Sequence, residues 1–250
     1  MALNKNSIPY TIIYCAVLVI AVAVGLSIVY QSLRPAQEKN IADDKKRQIL
    51  SSIRISPEKG ENVADVYDRY ITESFLVNFN GKRTDSATDP FAVDVAAQVK
   101  LDDNKRLLPV FEAKTKDGAK YIIPVYGAGL WGPIWGYVAF DDNGDTIYGA
   151  YFSHQGETPG LGAEIEKPQF QDQFQGKNVF CDGNFTSIAV EKAGQKPAQG
   201  DYVNAISGGT ITSKGVQTML ENSLRPYQAF LFSLQEQKNP VKTRTYNGYQ

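Results

Sequence analysis

The chain has 250 residues, 42% of them hydrophobic, which leaves room for one membrane segment and one domain of about 200 residues with a sizeable core. Twenty-six Lys and Arg against twenty-seven Asp and Glu leave a net charge of -1, so there is no electrostatic case for a nucleic-acid partner. Of the two cysteines, Cys15 lies in the apolar N-terminal run and Cys181 stands alone in the domain, so they cannot staple the fold.

Tyr10 to Tyr30 form an uncharged, largely aliphatic run of roughly twenty residues, enough to cross a bilayer as a helix, with tyrosines at both ends for the headgroup level. A cleaved signal peptide is the competing reading. The run is long for one, no A-x-A site follows it and no lipobox precedes Cys15, so a retained single span is expected. Only Lys5 precedes the span, whereas Arg34, Lys39, Lys45, Lys46 and Arg47 follow it; charge counting alone places the C-terminal part in the cytoplasm.

From Pro35 to Ser56 a polar helical stalk is expected, with Ile41, Ile49 and Ile53 on one side. Val63, Val66, Tyr67, Tyr70, Ile71 and Phe75 recur at three- and four-residue intervals and predict a second helix. Residues 78–90 read as a polar loop. From Phe91 the period changes to two: FAVDVAAQVKL, RLLPVFEA, KYIIPVYG, IWGYVAF and TIYGAYF predict strands, and the turn residues 141–145 (DDNGD) predict a hairpin. Val179-Phe180 and Phe185 to Val190 are candidates for further strands. Val216, Met219, Leu220, Leu224, Tyr227, Phe230, Leu231 and Leu234 predict a closing helix kinked at Pro226. The expected fold class is α+β: one N-terminal transmembrane helix followed by a mainly antiparallel β-sheet domain with flanking helices.

Three stretches carry candidate chemistry. Gly127-Ala128-Gly129-Leu130-Trp131-Gly132 matches G-x-G-x-x-G, but the residues after it continue as a strand where a dinucleotide fingerprint must open a helix. It remains a glycine bend whose Leu130 and Trp131 suit either core packing or a flat ring lying close to the backbone. His154-Gln155-Gly156-Glu157-Thr158-Pro159-Gly160-Leu161-Gly162 holds the only histidine, too few ligands for zinc; a turn with a hydrogen-bonded Glu157 is the plain reading. Ser207-Gly208-Gly209-Thr210-Ile211-Thr212-Ser213 crowds hydroxyls at a helix entrance. That suits an ordinary N-cap, or a phosphate on the unpaired N–H groups and the positive end of the dipole.

The order of anchor, YGAGLWGPIWGYVAF, HQGETPGLGAEI and SGGTITSKGV resembles the C-type subunit of the sodium-translocating NADH:quinone reductase. The resemblance implies FMN joined by a phosphoester to Thr210, made from FAD by a separate flavin transferase with magnesium. It implies flavin contacts from Leu130, Trp131, Glu157, Thr158, Lys192, Ser207, Gly208, Ile211 and Thr212; no catalytic or metal-ligating residue is expected. Gly209 stands where the family commonly has alanine, and Asn204 where the transferase motif usually has aspartate.

The implied function is electron relay between other redox centres on the route from NADH to ubiquinone, in a complex that moves sodium and contains B, D, E and F type subunits. The implied location is the inner membrane, with the soluble domain on the periplasmic side, against the charge count. The division expected is an N-terminal segment 1–9, a transmembrane helix 10–30, a stalk and connecting loop 31–90, a covalent FMN-binding domain 91–238 and a polar tail 239–250. Two alternatives stay open: the G-type subunit of an Rnf-type electron-transport complex, and a membrane-anchored scaffold or binding module without flavin.

Overall fold

The structure is a computed structural model that describes residues 8–238, so Lys5 and the polar tail expected from residue 239 lie outside the described residues. Helix α1 (Ile8–Ser52) runs unbroken through Pro35, so span and stalk are one element. Proline removes one helical hydrogen bond, but Gln31, whose carbonyl it would have met, is exposed and open to solvent. The chain divides into two compact units between Lys45 and Lys46. In the first, α1 is long and apolar enough to cross a membrane, and its Ile12, Val17, Ile20 and Leu26 side chains are exposed. Ile41 is exposed as well, and so is not in the buried set that contains Ile49 and Ile53.

The second unit is built on five strands: β1 (Ile71–Val77), β2 (Leu108–Thr115), β3 (Gly118–Ala128), β4 (Pro133–Asp141) and β5 (Ile147–His154), paired in sequence order as an antiparallel meander. Both faces are covered, and the two-residue period of the strands sorts their side chains accordingly. Val110, Ile123, Val125, Val138 and Phe140 belong to one core cluster. Phe111, Ile122, Tyr137 and Ala139, their neighbours in sequence, belong to the other.

The second cluster is closed by Ile49, Leu50 and Ile53 and by Val63 and Val66 of helix α2 (Val63–Tyr70). Trp135 Nε1–H donates to Gln48 Oε1 at 3.1 Å on this side. The first cluster is closed by helix α5 (Thr210–Leu224) through Val216, Met219, Leu220 and Leu224, and by helix α6 (Gln228–Lys238) through Phe230, Leu231 and Leu234. Between α5 and α6, Arg225–Tyr227 form a 3-10 turn at Pro226, where the kink was expected.

Two expectations fail. The second helix stops at Tyr70, because the chain turns into edge strand β1, whose β-branched Ile71 and Thr72 suit extended backbone. FAVDVAAQVKL is not a strand: Pro90–Ala92 form a 3-10 turn and Val95–Gln98 the short helix α3. Asp89 and Asp94 cap them, accepting Phe91 N–H and Ala97 N–H, so local hydrogen bonds outweigh the β pattern. Beyond β5 come a 3-10 helix (Gly162–Glu166), helix α4 (Pro168–Gln171) and two small ladders. Strands β6 (Phe180–Cys181) and β7 (Asn184–Phe185) form a hairpin. Strands β8 (Ala189–Glu191) and β9 (Tyr202–Asn204) pair in parallel.

Candidate functional site

Three stretches far apart in sequence meet at the entrance of α5. The bend between β3 and β4 carries Leu130 and Trp131, and it is closed by Gly129 N–H donating to the Gly132 carbonyl at 2.8 Å. The turn after β5 carries Glu157, which is buried. Its Oε1 accepts Trp131 N–H at 2.8 Å, and its Oε2 accepts the Thr212 hydroxyl at 2.5 Å. One carboxylate thus fastens the glycine bend to the first turn of α5.

The socket for that carboxylate is made of glycine. A Cβ on Gly162 would run into Glu157 Oε2 and Thr212 Oγ1, and one on Gly129 would lie 2.5 Å from Glu157 Oε1. The plain reading of a hydrogen-bonded turn holds for the Glu157 backbone, whose N–H donates to His154 Nδ1 at 3.1 Å.

At the helix entrance, the N-cap is Gly209 and no side chain caps α5. The ordinary hydroxyl N-cap is therefore not what the S-G-G-T stretch provides. Ser213 is buried, and its Oγ instead accepts Ile206 N–H at 3.0 Å, anchoring the loop behind the entrance. Gly208 has φ +75°, a left-handed conformation that glycine adopts without strain, and it faces Leu161. Ser207, Gly208 and Thr210 are exposed, so Thr210 at the first helical position is accessible beside backbone donors with no side-chain acceptor.

Around this entrance lie exposed apolar side chains. Trp131 is 69% exposed, Leu130 47%, Ile211 60% and Leu161 42%, which excludes core packing for the glycine bend. Large apolar side chains gathered in this way mark a binding surface. Open grooves reach the entrance from two sides. One, of about 470 Å³, includes Ser207, Asn204 and Lys167; the other, of about 670 Å³, includes Ile211, Lys214 and Gly129.

Of the remaining expected residues, Thr158 is exposed, and its carbonyl accepts Leu161 N–H and Ala163 N–H at 3.1 Å. Lys192 is exposed one residue beyond β8. Lys214, in the second turn of α5, ties that helix to β8 through Glu191 at 3.1 Å. Asn204 is exposed in β9, in register with Glu191. Not foreseen from the sequence were the exposure of Leu161 at the entrance, the anchoring of the loop behind it by Ser213, and the lining of the Glu157 socket by Gly129 and Gly162. The run of small residues around Glu157 was the available signal for the socket.

The FMN-binding domain family matches residues 129–225, which hold Leu130 and Trp131 of the bend, the Glu157 turn and the entrance of α5. The C-type subunit of the Na(+)-translocating NADH-quinone reductase of Vibrio vulnificus (strain YJ016) is 36% identical over 219 residues, covering 81% of this chain and 82% of its own. The corresponding protein of Neisseria meningitidis serogroup B is 32% identical over 235 residues, covering 85% and 87%. Among solved structures, the C-type subunit from Parabacteroides distasonis matches with a TM-score of 0.74 at 50% identity, over 80% of this chain and 96% of that one.

Proposed function

Because the chain belongs to the family of the C-type subunit of the Na(+)-translocating NADH-quinone reductase, we propose that it is the membrane-anchored component that carries FMN on Thr210 and relays electrons within that complex. The observation that carries this reading is the uncapped entrance of α5, with the exposed Thr210 hydroxyl among Leu130, Trp131, Leu161 and Ile211. A phosphate suits the backbone donors and dipole of such an entrance, and a planar apolar ring suits the side chains around it.

Attachment would need a separate flavin transferase with magnesium: Thr210 Oγ1 would gain a P–O bond to the FMN phosphate of FAD, the pyrophosphate bond would break to release AMP, and the hydroxyl proton would be lost to a base. FMN supplies one-electron and two-electron chemistry when bound. The chain's residues do the rest. Thr210 tethers the cofactor, so it need not exchange. Ser207, Gly208, Ile211 and Thr212 would hold the phosphate end, Leu130 and Trp131 would cover the ring, Thr158 would serve its polar edge, and Lys192 would add positive charge. Glu157 holds Trp131 and Thr212 in place.

The partners proposed are the B, D, E and F type subunits. The electrons run from NADH towards ubiquinone while the complex moves sodium, and the domain stands on the periplasmic side of the inner membrane. Large domains translocate regardless of flanking charge, which is why the lysines and arginines after the span do not decide its side. Thr210→Val should abolish NADH:quinone activity and sodium uptake in native membranes while the other subunits remain assembled. Full activity in that variant would contradict the relay.

A further inference from the structure

His154, at the end of β5, is joined to the helix entrance through the Glu157 turn. Its Nδ1 accepts Glu157 N–H at 3.1 Å, so the neutral ring carries its proton on Nε2. The Glu157 carboxylate in turn accepts Trp131 N–H and the Thr212 hydroxyl. Imidazole, amide, carboxylate and hydroxyl therefore form one continuous chain from β5 to the first turn of α5.

We propose that His154 is a positioning residue for the cofactor pocket, holding the Glu157 turn in its neutral form and releasing it when the ring gains a proton. The inference rests on the flavin reading of the site for its consequence, though not for its geometry. Protonation puts hydrogen on Nδ1, and a ring that donates there cannot also accept Glu157 N–H. Two donors then face each other, and the 155–158 turn moves. Glu157 moves with it, loosening Trp131 and Thr212.

The surroundings supply a place for the charged ring. From the 3-10 helix, Glu166 Oε2 lies 3.8 Å from Nε2, while Glu166 Oε1 accepts Ser153 Oγ–H at 2.5 Å and His154 N–H at 3.3 Å. The same helix carries Glu164, which accepts Gly160 N–H at 3.2 Å. Helix α4 presents the uncharged Gln171, bonded to the carbonyls of Phe152 and Ile165. Asp172, next along, faces Arg54 at 3.8 Å. Across the ladder, β4 places the apolar Ile134 opposite His154. The charged group that lies beside the ring is thus Glu166, while the Glu157 carboxylate is turned to Trp131 and Thr212.

The test uses the full chain in detergent, once loaded with flavin and once as the flavin-free Thr210→Val variant, with amide hydrogen exchange of residues 155–158 followed from pH 5 to 8. Rates are divided by the intrinsic exchange rate at each pH. Protection of Glu157 N–H should fall about fivefold on the acid side, the equivalent of one lost neutral hydrogen bond. His154→Asn, whose Oδ1 takes the place of Nδ1 but does not titrate, should keep the protection throughout, and His154→Phe should lack it throughout. In the loaded chain, the flavin absorption band should shift over the same pH interval in the parent and stay fixed in His154→Asn. A parent with constant protection, or a His154→Asn chain with the same acid step, would overturn the proposal. An acid step in Thr210→Val, together with a parent chain that never takes up flavin, would support the His154 device and remove the flavin reading instead.

Discussion

The Glu157 carboxylate accepts the Thr212 hydroxyl at 2.5 Å across 55 residues of chain, and this contact with its companion at Trp131 N–H makes one site of three stretches. Glu157→Ala leaves the buried Thr212 hydroxyl without its acceptor, worth about 1–3 kcal/mol, and frees the part-buried Trp131 N–H. Denaturant unfolding of the full chain in detergent should show a loss within that range. Quantified flavin per chain should fall as Trp131 and Thr212 lose their fixed positions. Glu157→Gln, which keeps an acceptor oxygen for one of the two donors, should fall between parent and Ala.

The socket glycines make a second prediction. Gly162→Ala drives a methyl group into Glu157 Oε2 and Thr212 Oγ1. Overpacking of that kind costs about 1–3 kcal/mol. Gly208→Ala pushes a side chain into φ +75° beside Leu161, at about 1–2 kcal/mol. Both should lower the unfolding midpoint, whereas alanine at the exposed Gly156, where a Cβ meets nothing within 4 Å, should not.

Much of this was legible in the sequence, for reasons that particular residues explain. Strands β2 to β4 alternate between two cores, β5 does so on either side of a register shift after Ile147, and 141–145 carries turn residues, so the meander could be read from period and punctuation. The family could be read from the order of three stretches around Trp131, Glu157 and Thr210. Strand β1 could not, because Tyr70, Ile71 and Phe75 also fit a helical stripe, and only the ladder with β2 decides against it. Nor could the Pro90–Ala92 turn and α3, where their respective caps Asp89 and Asp94 outweigh the strand-like Phe91 and Val93. The convergence on Glu157 is a tertiary fact. Sequence shows a carboxylate among glycines, but the fold alone brings Trp131 and Thr212 to it.

Alkaline pH offers a third prediction. Burial raises the Tyr227 phenol well above its usual value, with Arg106 pulling the other way, and its hydroxyl donates to the Pro109 carbonyl at 3.0 Å. Tyr67 is raised too, by burial first and then by Asp68 and Asp89. A raised folded value means that the unfolded chain releases the proton first as pH climbs. Stability is therefore intact below about pH 10 and declines above it. Tyr227→Phe should lose about 1 kcal/mol at neutral pH through the unpaired Pro109 carbonyl, and its decline above pH 10 should be shallower than the parent's. Equal slopes would count against a buried neutral phenol.

Sidedness gives a fourth. Cys181 is a free, partly exposed thiol in β6, and Cys15 lies in α1. With Cys15→Ala, intact spheroplasts treated with a membrane-impermeant maleimide should label Cys181 if the domain is periplasmic. Labelling only after lysis would put the domain in the cytoplasm, as the Lys and Arg count after the span suggests.

The most direct measurement is a denaturing gel of the chain purified from its native membrane, viewed for flavin fluorescence and followed by peptide mass mapping. A fluorescent band, with one FMN on the peptide containing Thr210 and none in Thr210→Val, is the predicted result. A dark band of unmodified mass would contradict the covalent tether and leave the α5 entrance as an open helix end with no cofactor attached.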